Sequence, residues 1–326
     1  MKLNRWLRVG LAVALVAISG AASAQTYPAK PIRLIVPLGA GSPADTASRF
    51  IAQELSKALG QPVVVVNKTG AGGTIGTAEL ARAAPDGYTI GFASQGTLVF
   101  NQGIYASPGY DSLKDFAPIA LLGRASNVMI VHPSSAASSP ADIVAIAKAK
   151  PGTVTFSSGG SGTSHHLAGV LFGRVTDANL VHVPYKSAPQ GVLAVMANEV
   201  TMGFFNTSAV IDRIRDGKVK ALGVTGLQRS PLLPNVPTLD EQGVNGYEVN
   251  TWAGFVAPAG TPPGIVSQLN AALIRIATGV EIKKKLVSQG LELSLPPLTP
   301  AAFTQLIADD LAQWVPVVKA SGAKPN

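Results

Sequence analysis

Apolar residues along this chain fall into short unbroken bursts, separated by longer stretches in which they recur every three or four positions. Residues 32–36 and 63–66 read as buried strands, and 44–59, closed by Gly60, reads as an amphipathic helix. A glycine-rich turn at 70–73 leads into a second helix at 74–83. Pro85-Asp86-Gly87 marks a turn, and 88–93 reads as a third strand. This βαβαβ rhythm predicts a largely parallel sheet with helices on both faces. The rhythm then restarts. Strands at 128–131, 154–156, 181–183, 201–205 and 219–224 alternate with helices at 140–150, 163–175, about 190–197 and 208–215. A proline-rich irregular stretch at 230–238 precedes a strand-like run at 251–256 and three helical segments starting near Pro262, Val280 and Pro300. The expected architecture is α/β with two lobes, each a central sheet flanked by helices. The chain leaves the first lobe near Gly123 and returns near Asn250, so two crossing segments form a hinge. The expected boundaries are 25–124 plus 251–326 for lobe I and 125–250 for lobe II.

The first 24 residues stand apart from this pattern. Lys2, Arg5 and Arg8 precede an apolar run at 9–18 and then Ala22-Ser23-Ala24, the grammar of a cleaved secretory signal. The run is too short to span a bilayer, which takes about 20 residues. Cleavage is expected after Ala24, giving a periplasmic location. The chain has no cysteine, which removes disulfides, thiolate metal sites and a lipid anchor. Its formal charge of +8 includes three cations of the leader. The remaining Lys and Arg are scattered, with the densest cluster at Lys283-Lys284-Lys285 in a helical segment. No coherent basic face results, so nucleic acid is not an expected partner.

Two loops share one grammar of strand, small residues and helix start. The first runs Pro37-Leu38-Gly39-Ala40-Gly41-Ser42-Pro43-Ala44-Asp45. Ser42 fits an N-cap, Pro43 the first helical position, and Asp45 the third, from which a carboxylate folds back as in a capping box. The glycines leave main-chain N–H groups at the positive end of the helix, where an anion is favoured. The second runs Ser157-Ser158-Gly159-Gly160-Ser161-Gly162-Thr163-Ser164-His165-His166, with hydroxyls, bare backbone and no fixed charge. Each loop is also explained as a tight turn with an ordinary cap; one in each lobe favours a shared anion site. A third glycine-rich loop, 70–76, has Ile75 where a dinucleotide fingerprint needs glycine, and it lacks the P-loop lysine. It reads as a turn with no direct ligand role.

Enzymatic readings fit less well. Gly159-Gly160-Ser161-Gly162-Thr163 approaches the G-x-S-x-G elbow of serine hydrolases but ends in Thr. The four histidines are His132, His165, His166 and His182. Adjacent helical residues diverge by about 100°, so His165 and His166 make poor co-ligands, and packed or capped histidines are expected. No catalytic residue, metal or cofactor is assigned.

The order of motifs resembles the Bug-type extracytoplasmic receptors of tripartite tricarboxylate transporters over nearly the whole mature chain. It runs through Val36-Pro37…Gly41…Asp45, Val66-Asn67-Lys68…Gly70-Ala71-Gly72-Gly73…Ile75-Gly76 and Ala84-Pro85-Asp86-Gly87-Tyr88-Thr89. It continues through Lys114-Asp115-Phe116-Ala117-Pro118-Ile119, Gly162-Thr163…His166-Leu167-Ala168 and Val183-Pro184-Tyr185-Lys186. It ends with Leu233-Pro234…Val236-Pro237-Thr238 and Trp252-Ala253-Gly254-Phe255…Ala257-Pro258. The resemblance implies a two-lobed periplasmic-binding-protein fold (type II) that closes on a small carboxylate, gripped by the 41–45 and 159–165 loops. It also implies a membrane permease as partner. A sensor that presents its ligand to a membrane signalling system stays open as an alternative, as does a serine hydrolase on the same fold.

Departures from the family pattern refine the expectation. Gly41-Ser42 stands where the family often has two glycines, and Tyr185-Lys186-Ser187 where it often reads Tyr-Lys-Gly. Leu98, Phe100 and Phe205 suggest a more apolar far end of the pocket, suited to an aromatic acid or a medium-chain dicarboxylate at about 25 cal/mol per Å² of buried apolar area. The candidate ligand contacts are Leu38, Gly39, Ala40, Gly41, Ser42 and Asp45 in the first loop, and Ser94 and Thr97 after the third strand. In the second lobe they are Ser158, Gly159, Gly162, Thr163, Ser164 and His165, with Phe205 beyond. The protein is expected to act as a monomer.

Overall fold

The computed structural model describes residues 27–185, 187–288, 290–293 and 298–323. The predicted signal segment and Lys186 of the quoted motifs lie outside the described residues. Strand β1 (Ile32–Val36) is buried at Ile32, Leu34, Ile35 and Val36, which is why its apolar residues run together instead of alternating. It pairs in parallel with β2 (Val63–Asn67) and β3 (Thr89–Ser94). Helix α1 (Pro43–Leu59) connects β1 to β2, starting at the Ser42 cap and ending at Gly60, whose φ of 69° suits glycine. Its stripe of Ala47, Ile51, Ala52 and Leu55 lies on the sheet. Each large aliphatic side chain so buried contributes roughly 1.5–3 kcal/mol. Helix α2 (Thr74–Ala81) returns to β3, and a π-helical turn at Gly96–Phe100 runs into the short α3 (Asn101–Ile104).

Strand β4 (Phe116–Val131) is 16 residues long, four times the run expected from the sequence. Its first half pairs antiparallel with β9 (Asn250–Pro258), from Phe116 opposite Pro258 to Ser126 opposite Asn250. Its second half pairs antiparallel with β7 (Met202–Asn206), from Asn127 opposite Asn206 to Val131 opposite Met202, and with β8 (Lys220–Val224) on the other side. Helix α4 (Pro140–Ala149) leads to β5 (Val154–Ser158), and α5 (Ser164–Thr176) to β6 (Leu180–Pro184). Helix α6 (Ala188–Met196) then leads to β7, and α7 (Thr207–Arg215) follows it. β5 pairs in parallel with β6 and β7. Helices α8 (Pro263–Thr278) and α9 (Val280–Ser288), the two-residue β10 (Glu292–Leu293) on β4, and α10 (Pro300–Ala320) complete the chain. The strands follow one path, β2-β1-β3-β9-β4-β7-β5-β6, with β8 and β10 also on β4. The two sheets therefore share a strand.

The core has three parts. One lies beneath α1 and α8 around Leu34, Phe255 and Leu273, and one beneath α6 and α7 around Ile130, Val195 and Phe205. The third runs between both sheets and α10, with Phe100, Phe156, Trp252, Phe303 and Trp314. No single helix among the described residues is long and apolar enough to cross a membrane.

Strand direction decides where the loops go. β3 and β4 are both antiparallel to β9, so β1, β2 and β3 run in the same sense as β4. β5, β6 and β7 run against it. The carboxyl ends of the two parallel sets therefore point at each other across the middle of β4. Ser94, at the end of β3, lies level with Ala253 and Gly123, and Asn206, at the end of β7, with Asn127. Four residues of β4 separate the two levels, about 13 Å along the strand. This is the topological switch where open α/β sheets bind ligands.

Candidate functional site

The first loop hangs from one buried carboxylate. Ser42 Oγ accepts the N–H of Asp45 at 3.2 Å, as a cap should. Asp45 Oδ2 reaches back past Ser42, accepting Gly41 N–H at 2.9 Å and Arg49 Nε–H at 3.0 Å, while its Oδ1 accepts Asn67 Nδ2–H at 3.0 Å. The expected capping box is thus shifted by one residue, because Ser42 N–H is taken by the Gly39 carbonyl at 3.2 Å. Asn67, at the end of β2, also donates to the Leu38 carbonyl and accepts from Arg49. Burial alone would push the Asp45 carboxyl up; the bonds from Arg49, Gly41 and Asn67 outweigh it and hold the group below the usual carboxylate range. Asp45 is 3% exposed, so it shapes the loop from inside. Gly39, Ala40 and Gly41 are exposed. Among the described residues, no protein acceptor meets the N–H groups of Gly39, Ala40 and Ala44. The 70–76 loop supports this arrangement from behind. A Cβ on Gly76 would overlap the Lys68 carbonyl and approach Pro37, so only glycine lets the two loops pack this closely.

The second loop hangs from imidazoles. Thr163 caps α5, accepting His166 N–H at 3.4 Å, and its hydroxyl donates to the Gly160 carbonyl at 2.7 Å. Gly159 N–H donates to His165 Nδ1 at 3.4 Å and Gly162 N–H to His166 Nδ1 at 3.1 Å. His165 Nε2 meets Asn206 Oδ1 at 3.1 Å. Each ring that accepts on Nδ1 is neutral and carries its proton on Nε2. Burial lowers His165, His166 and His182 to about 4 each. Ser158 Oγ accepts Gly160 N–H at 3.1 Å and lies 2.7 Å from His182 Nε2. In this Ser–His contact Ser158 is 0% exposed and His182 half-buried, and among the described residues no carboxylate bonds the ring. Among the described residues, Ser161 and Ser164 keep N–H groups without a protein acceptor.

The structure therefore sorts the candidates. Gly39, Ala40, Gly41 and Ser42 in one loop, and Gly159, Thr163 and Ser164 in the other, keep exposed or half-buried surface on the junction side of their sheets, as do Leu38 and Ser94. Asp45, Ser158 and His165 are buried and bonded within the loops they hold. The amides of Gly41, Gly159 and Gly162 are likewise spent inside the protein. Gly162 is buried against Ile104 of α3, where a Cβ would overlap the Ile104 side chain. Thr97 is 2% exposed, with its hydroxyl bonded to the backbone of Ser94. The side chains expected at the apolar far end are buried as well. Leu98, Phe100 and Phe205 are 0%, 2% and 0% exposed. Phe100 packs on Trp314, and Phe205 on His165 with ring centroids 5.0 Å apart. Helices cover both faces of the sheet at Phe204 and Phe205, so neither side chain is left for a cleft. The sequence reading missed the anchoring roles of Arg49, Asn67, His166, His182 and Asn206. Their only sequence signal is a polar residue at or near a strand end, and it becomes meaningful once the neighbouring strand is known.

Two α/β lobes on shared crossing strands, with helix starts turned toward the junction, define the class of solute-binding receptors. Residues 47–323 match the tripartite tricarboxylate transporter family receptor. The chain is 35% identical to protein BugT of Bordetella pertussis, over 99% of both chains. It superposes on an R. palustris protein solved with adipate at a TM-score of 0.78, with 30% identity over 92% of this chain and 100% of that one. It superposes on MatC of Rhodopseudomonas palustris, solved with bound malate, at 0.74, with 28% identity over 90% and 100%. The chain belongs to the tripartite tricarboxylate transporter family of receptors, a family of periplasmic solute-binding proteins.

Proposed function

We propose that this protein is exported, loses its leader after Ala24, and works as a monomeric periplasmic receptor that closes on a small dicarboxylate and hands it to a membrane permease. The observation that carries this reading is the pair of helix starts at opposed strand ends, each with main-chain N–H groups that no protein acceptor uses among the described residues. Such groups favour an anion without a fixed cation. The adipate and malate held by relatives support the ligand class. With Leu98, Phe100 and Phe205 inside the lobes, nothing in the described cleft selects an aromatic body, and a flexible dicarboxylate is the better fit. In this reading residues 25–124 with 251–326 form one lobe and 125–250 the other, and one carboxylate lies between the N–H groups of Gly39, Ala40 and Ala44 and those of Ser161 and Ser164. Closure follows only from tighter binding to the closed state. Micromolar affinity, about −8 kcal/mol, requires a few charge-assisted hydrogen bonds of about 1.5–3 kcal/mol each after ordering costs.

A thermal-shift series with adipate, malate, citrate and benzoate, followed by calorimetry, tests the ligand class: the midpoint rises for a specific binder. Small-angle scattering with and without that ligand should show a smaller radius of gyration at constant monomer mass. Failure of every carboxylate to shift the midpoint would refute the reading.

A further inference from the structure

We propose that His165 and His166 are positioning residues of the carboxylate site, which fix the 159–163 loop in its receptive shape by accepting the main-chain N–H groups of Gly159 and Gly162. The inference rests on the receptor reading above. The two histidines open α5, and successive helical side chains diverge by about 100°, so one ring reaches back to each end of the loop, at 3.4 and 3.1 Å. The amide between them, Gly160, is held by Ser158, whose hydroxyl lies 2.7 Å from a third imidazole, His182. Imidazole chemistry thus secures Gly159, Gly160 and Gly162, and the N–H of Ser161 has no protein acceptor among the described residues. The rings are themselves fixed. His165 is tied to Asn206 and packs on Phe205; His166 stacks on His182 at 3.9 Å, with Phe156 alongside both.

Among the described residues, no Asp, Glu, Lys or Arg bonds or pairs with any of the three rings; their polar neighbours are Asn206, Ser158, the loop amides and one another. No counter-charge offsets their burial, and they stay neutral down to about pH 4. Protonation of Nδ1 puts a proton where the loop N–H now points and repels the loop. Two neutral acceptors also keep negative charge away from the ligand, which a carboxylate in their place would not.

The probe is adipate, titrated calorimetrically at pH 7 into the mature protein. His165→Phe and His166→Phe keep ring packing and remove the acceptor, and each should weaken binding about tenfold or more. His165→Asn and His166→Asn offer a carboxamide oxygen near the Nδ1 position and should restore most of the loss. In the ligand-free protein, the amide resonances of Gly159 and Gly162 should titrate together with the imidazoles. Equal weakening by the Phe and Asn variants, or Gly159 and Gly162 amides indifferent to imidazole protonation, would overturn the proposal. If none of adipate, malate, citrate and benzoate binds the wild-type protein, the receptor reading falls, while the amide titration still decides whether the imidazoles hold the loop.

Discussion

The 39–42 loop is pinned by a carboxylate and the 159–163 loop by neutral rings, although both begin a helix at the end of a central parallel strand. In the first, Asp45 takes one loop amide and balances its charge on Arg49, and Asn67 bridges from the adjacent strand. In the second, His165 and His166 take two amides, no charged side chain among the described residues bonds either ring, and Asn206 bridges from the adjacent strand. The backbone requirement is shared: tie down some amides so that the rest face outward. The choice of acceptor sets the conditions under which each loop fails. The carboxylate, held below its usual range, keeps its bonds to a lower pH than the imidazoles, which stay neutral only down to about pH 4.

The largest expected effect is on the charged side. Asp45→Ala leaves Gly41 and Asn67 donors without their acceptor and should cost about 3–4 kcal/mol, read from urea unfolding. A cost below about 1 kcal/mol would mean that the loop does not depend on this group. The next effect belongs to the neutral side. A histidine near 6.5 in the unfolded chain and about 4 in the folded one takes up its proton on unfolding first. Stability is therefore full above pH 6.5 and drains away as pH falls toward 4, by about 3 kcal/mol for His165 alone. His165→Asn should flatten that slope, and an unchanged slope would assign the acid sensitivity elsewhere. The caps should matter least. Thr163→Ala loses the cap and the 2.7 Å bond to Gly160, while Ser42→Ala loses a cap alone, at about 1 kcal/mol. Comparing their melting curves sharpens the contrast, since Ser42→Ala should be the milder of the two.

Much of this arrangement is written locally. The β1-α1-β2 unit is readable because its apolar run, its three-and-four stripe and its Ser-Pro start and Gly stop all agree. The Ser42 cap was legible for the same reason, whereas Thr163, expected inside the helix, caps it instead. The first half of β4 was not. Phe116 to Asn127 contains Pro118 and Gly123, and its ladder slips between Pro118 and Ala120 and again between Leu121 and Gly123, which erases any alternation. The anchors of the site were hidden for another reason. His182 and Asn206 come 24 and 41 residues after their partners, and only the order β7-β5-β6 makes them neighbours. Phe205 reads as a pocket wall from the sequence because a strand-end aromatic looks like one, and its packing becomes legible only when the sheet's two covered faces are known.

Strand β4 carries the ladders of both sheets in one uninterrupted ribbon. A ribbon of this kind scarcely stretches, and its hydrogen bonds resist sliding, so bodies mounted at its two ends keep their spacing and retain only flexure and twist. The slip between Leu121 and Gly123, the nearer of the two in the β9 ladder to the midpoint of β4, softens the ribbon between the two sheets. The molecule is built like a torsion bar with one compliant section, and altering that section should change the stiffness of the movement before it changes either end position.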